Sequence, residues 1–75
     1  MVYHRDIETQ IKVGKKVREI RISKSLTQEE LAYKSDLDIS QINRIELGKI
    51  NGSISVLSRI ANSLEIHIKE LFDFD

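Results

Sequence analysis

The sequence predicts an all-α protein, a compact five-helix bundle forming one domain over residues 1–75. Three observations carry that expectation. There is no proline and there are only three glycines, so few residues interrupt a helix. Apolar residues recur at steps of three and four, the period of one helical face. Short polar residues stand where those stretches begin, as helix caps do.

The first helix is expected from about Ile7 to Lys24, with Ile7, Ile11, Val13, Val17 and Ile20 on one face. The second starts at Thr27 and ends near Ser35. Thr27 and Glu30 form a T-x-x-E capping box, in which each side chain satisfies a free backbone donor. Leu31 and Ala32 turn inward. The third helix starts at Asp38, with Gln41 as a variant of the same box, and ends at Gly48, which suits the left-handed position past a helix. Ser53 caps the fourth, where Ile54, Leu57, Ile60, Ala61 and Leu64 share a face. The fifth is short, about Ile68 to Phe72, with Ile66 leading in.

Composition narrows the function classes. The chain has no cysteine, so no disulfide or thiolate metal site stiffens it. A chain of this size buries only about 60% of its unfolded surface, so its stability margin is thin. At 40% hydrophobic and 32% charged, with no long apolar run, it reads as soluble and cytoplasmic, not membrane-bound. The start, MVYHRDIETQ, lacks the apolar stretch of a secretory signal. Net charge is zero but unevenly spread. Residues 1–26 carry seven Lys/Arg against three Asp/Glu, a balance of +4, and the two later thirds are each −2. Lys12, Lys15, Lys16, Arg18, Arg21 and Lys24 thus form either a solvated basic face or a partner surface.

Only Asp36 and Leu37 separate the second and third helices, so the two cross steeply. Leu31 is an apolar anchor. Ala32 sits where a larger side chain would force the helices apart, and Ile42 and Ile45 face the core. These residues, within TQEELAYKSDLDISQINRIELGK, together with SVLSRIANSLE and IKELF, resemble the Cro/CI (phage-repressor-like, XRE) helix-turn-helix family over roughly residues 11–72. The resemblance implies a lambda-repressor-like domain with its third helix in the DNA major groove. Asp36, Ser25 and Glu65 stand where that family often has glycine. Asp36 tolerates the turn. Glu65 would be strained in a left-handed conformation, which predicts a different end for the fourth helix.

At about 100° per residue, Ser40, Asn43, Arg44 and Leu47 share one side of the third helix, with Gln41 at its edge. Ile42, Ile45 and Glu46 lie opposite. Lys and Glu would be better helix formers for a surface that meets only water. Gln and Asn match adenine, Arg matches guanine, and Ser fits either. The resemblance puts Ile39, Ser40 and Arg44 at base-reading positions, and Gln41 and Asn43 at base or phosphate positions. Ile39 has two uses, a thymine methyl or inward packing. Arg44 has three: a base, a phosphate, or Glu46. Phosphate candidates are Thr27 and Gln28 at the start of the second helix, where free amides and the dipole favour anions, and Lys49 and Asn51 after the third. Lys15 and Lys16 add charge at longer range. A lone carboxylate on the core side is costly, and the resemblance implies that Arg21 pairs with Glu46.

Other chemistry is poorly served. His4 and His67 lack metal-ligating companions, and Asp73 and Asp75 are too few for a calcium loop. No phosphate cradle or activated nucleophile is present, so no enzyme and no cofactor are expected. Leu71, Phe72 and Phe74 are a generous apolar ending for so small a bundle. The resemblance implies dimerisation there, with Phe72 expected to close the core and Phe74 to be surplus. Residues 1–6, with Val2 and Tyr3, are either a flexible extension or part of that interface. The expected function is a sequence-specific transcriptional regulator, binding double-stranded DNA as a homodimer on a palindromic operator. The alternative is an antitoxin or protein-interaction module with the same fold, bound to a toxin.

Overall fold

In a computed structural model, the described residues form four α-helices closed by a 3-10 helix. It describes residues 2–74, with residues 2–6 described by their backbone alone. The helices are α1 (Val2–Ser23), α2 (Gln28–Ser35), α3 (Ile39–Glu46) and α4 (Ile54–Leu64), followed by the 3-10 helix Ile68–Phe72. The last element was expected as a fifth α-helix. Five residues allow little more than one turn, and the tighter winding is common in such short pieces. Helix α1 starts at Val2, before the first residue of the expected apolar face. The side chains of Val2, Tyr3 and His4, and residue Asp75, lie outside the described residues.

Local chemistry sets the helix ends. The Thr27 box is complete: Thr27 Oγ1 accepts from Glu30 N at 3.0 Å, and Glu30 Oε1 accepts from Thr27 N at 2.9 Å. Ser53 Oγ accepts from Val56 N at 3.1 Å. The box expected at Asp38 does not form. Asp38 occupies the cap with extended backbone, but its side chain makes no cap hydrogen bond. Past α3, Gly48 has φ +72°, and its N–H and that of Lys49 bond to the carbonyls of Ile45 (3.0 Å) and Arg44 (2.9 Å), the paired closure of a Schellman motif. Asp36 and Glu65 are left-handed without being glycine, at φ 56° and 60°. Helix α4 therefore ends in the usual left-handed way, against expectation. Ile66 N bonds to Ala61 O at 3.0 Å across that turn, which holds Glu65 in place.

The core joins Val13 and Val17 of α1, Leu31 and Ala32 of α2, Ile42 and Ile45 of α3, the buried face of α4, and Leu71. Fully burying an aliphatic side chain contributes about 1.5–3 kcal/mol. Three residues of the expected apolar faces stay outside: Ile7, Ile11 and, at 80% exposure, Ile54. Ile54 is the first residue of α4, and Ile11 is partly covered by the chain at Gly48. Gly14 has the opposite role. A Cβ there would lie 2.1 Å from Ile45 O and 3.0 Å from Glu46 O, so only glycine lets α1 press its backbone on the end of α3.

Candidate nucleic-acid interface

Ile42 and Ile45 root α3 in the core, with 0% and 2% exposure, and so turn the opposite face outward. Ser40, Asn43 and Arg44 are exposed there, Gln41 is half-buried, and Leu47 continues the face. Ile39 is 47% exposed, so its side chain is available outside rather than spent in the core. Arg44 does not fold onto Glu46, because other partners occupy that carboxylate. Thr27 at the start of α2 is exposed, and Lys49 and Asn51 are exposed beyond α3.

Beneath this face lies a buried ion pair. Arg21 Nε donates to Glu46 Oε2 at 2.7 Å and its Nη2 donates to Oε1 at 3.0 Å, a two-pronged contact. Arg21 Nη1 also donates to Leu26 O at 2.8 Å. The hydrogen bond to Glu46 raises the Arg21 pKa above its already high value, with burial opposing it. Helix α1 is thereby tied to the last residue of the outward-facing helix. Gln28 joins from α2, donating from Nε2 to Glu46 Oε1 at 3.0 Å and to Asn43 Oδ1 at 3.5 Å.

Two further residues hold this geometry and escaped the sequence reading. Arg59 of α4 donates from Nε to Ser35 O at 3.0 Å and from Nη2 to Asp36 O, and its Nη2 lies 3.6 Å from Asp36 Oδ2. It thus binds the last carbonyls of α2 where the chain turns. Gln10 of α1 donates to Gly48 O at 2.8 Å, beyond the end of α3. Both contacts span more than twenty residues, and no local pattern announces either.

The expected dimer surface is rearranged. Leu71 has no exposure, so it supports the 3-10 helix from inside and offers nothing to a partner. The aromatic roles are exchanged: Phe72 is 44% exposed, while Phe74 packs on the core. The Lys12 ammonium lies 5.6 Å from the Phe74 ring centre, and the two rings are 6.5 Å apart. Phe72 shares an open groove with Ile54, Ile50 and Gln10. Among the described residues, no group of three or more His, Cys, Asp or Glu is placed to hold a metal, and no helix is long and apolar enough to cross a membrane.

Known proteins resemble this chain in sequence and in fold. The chain is 44% identical over 62 residues to control protein C.BamHI of Bacillus amyloliquefaciens, covering 81% of this chain and 76% of that protein. It is 36% identical over 59 residues to the immunity repressor protein of Bacillus phage phi105, covering 79% of this chain and 41% of that one. The crystal structure of the restriction-modification controller protein C.AhdI from Aeromonas hydrophila superposes with a TM-score of 0.83 at 40% identity, covering 84% of this chain and 96% of that one. A helix-turn-helix family model matches residues 17–71, from the last third of α1 to the closing 3-10 helix. The chain belongs to this helix-turn-helix family, whose members include controller proteins and phage repressors.

Proposed function

We propose that the protein is a sequence-specific transcriptional regulator that binds double-stranded DNA, without catalysis and without a cofactor. The observation that carries this is the outward face of α3. Ser40, Asn43 and Arg44 stand exposed on a helix that Ile42 and Ile45 anchor from behind. Short hydrogen-bonding side chains on a rigid helix are what base edges in the major groove require. Ile39, Ser40 and Arg44 read bases. Gln41 and Asn43 extend that surface, and Thr27, Lys49 and Asn51 flank it on the phosphates. Several relatives that match along most of their own length are control proteins, beside one uncharacterised transcriptional regulator, which favours a restriction–modification controller over a general regulator.

Homodimerisation completes the reading. The exposed Ile54 and Phe72, on one groove, are the apolar surface best suited to a second copy. A two-fold dimer places two α3 helices about 34 Å apart, one turn of DNA, on a palindromic site. Selection from random DNA with the purified protein tests this. An enriched palindrome with half-sites one turn apart is expected, and a pool with no enriched sequence would refute it.

A further inference from the structure

On the reading that α3 meets DNA, Gln28 is at the expected place for a phosphate grip, yet its hydrogen bonds point elsewhere. Its amide nitrogen lies 3.0 Å from Glu46 Oε1. An ionised carboxylate accepts only, so the amide must turn its NH2 toward Glu46. Glu46 cannot swing away, because Arg21 holds both of its oxygens. The same nitrogen lies 3.5 Å from Asn43 Oδ1. Two NH2 groups would repel there, so Asn43 must turn its carbonyl inward and its NH2 out.

We infer that Gln28 is a positioning residue that fixes the donor polarity of Asn43, and that Asn43 reads a base-edge acceptor in the major groove. The chain of command runs from the Arg21 charge through Glu46 and Gln28 to the reading surface. A phosphate oxygen needs a donor, and both N–H bonds of the Gln28 amide are already engaged within the protein. The outward NH2 of Asn43 matches purine N7, guanine O6 or thymine O4. It does not match the cytosine amino group, which is itself a donor. Gln28 thus acts on specificity without touching the base.

The test uses the full chain and the site that it selects from random DNA. Gln28→Met keeps the length of the side chain and removes its hydrogen bonds. Asn43→Ala removes the outward donor. Each is expected to weaken binding about tenfold, the usual scale for one specific contact. The double variant should be within about twofold of either single one, because both changes remove the same contact. Repeat selection with Gln28→Met should relax preference at one position in each half-site, with an unchanged salt slope and a thermal midpoint close to that of the parent. Asn43→Asp, an exposed change that exchanges donor for acceptor, should bind more weakly than Asn43→Ala. Additive losses, a shallower salt slope with unaltered base preference, or tighter binding by Asn43→Asp than by Asn43→Ala would each overturn the inference. A parent protein that selects no site would instead overturn the DNA-binding reading on which the inference rests.

Discussion

Replacing Glu46 with Ala should destabilise the protein by about 3 kcal/mol, the low end for breaking a buried ion pair. The Glu46 side chain is 1% exposed and that of Arg21 11%. The change removes two charge-assisted hydrogen bonds, of 2.7 and 3.0 Å, and leaves the guanidinium buried with only the Leu26 carbonyl and a sliver of solvent. That remaining contact keeps the estimate from the upper end. Gln28 also loses its main acceptor. A domain of this size has a total stability of roughly 4–11 kcal/mol, so much of it would be lost, and the melting midpoint should fall by about 12–24 °C. Urea unfolding at neutral pH, followed by helical circular dichroism, measures the loss. A loss below about 0.5 kcal/mol, the level of an exposed pair, would refute the claim that this pair locks α1 to α3. Replacing both partners with apolar residues of similar size should recover most of the loss.

Changes at Ser40 and Arg44 should alter the preferred bases in repeat selection, whereas Lys49→Ala should weaken all sites alike and make the salt slope shallower by about 0.9 per subunit. The parent protein, on the proposed dimer reading, should show a slope no steeper than about −8 per dimer, because the face carries few cations. Glu30 should titrate below its ordinary value of 4.5, since the Thr27 backbone N–H donates to its carboxylate. The folded pKa is the lower one, so the stabilisation is present above the unfolded pKa and disappears as pH falls through the folded one; a carboxyl titration followed by NMR checks the direction. Ile54→Ser with Phe72→Ser should shift sedimentation toward the monomer, while the fold survives, because both side chains stand outside the buried core.

Much of this architecture was legible because it is written in neighbouring residues. Thr27 and Glu30 are three apart, and their reciprocal bonds need nothing from the rest of the chain. The inward positions of α3 and α4 followed from helical period, since Ile42, Ile45, Leu57, Ile60 and Leu64 all meet the core. Period alone says that a face is apolar, not that something covers it. Ile7, Ile11 and Ile54 fit their faces and still stay exposed. At Asp38 the pattern named the right cap position without predicting that its carboxylate would turn elsewhere. Contacts such as Arg59 with Ser35 and Asp36 depend on which helices come together, and the separate segments do not contain that fact. The exchange of Phe72 and Phe74 belongs to the closing element: Phe72 ends a 3-10 helix, whose tight winding takes it off the α-helical phase, and Phe74 lies beyond that helix.

Gly14 sets a limit of a different kind. Its missing side chain lets the main chain of α1 rest on the carbonyls of Ile45 and Glu46. The spacing between these helices is therefore fixed by peptide groups, which are the same whatever residues surround them. The exposed side chains of α3 take no part in that contact. On the proposed reading of α3, new target preferences arise by exchanging a few surface residues, while the frame that presents them stays at the same depth. Variation is cheap on the outer face of α3 and nearly forbidden at one small residue on another helix, where even a methyl group would push α1 off the end of α3.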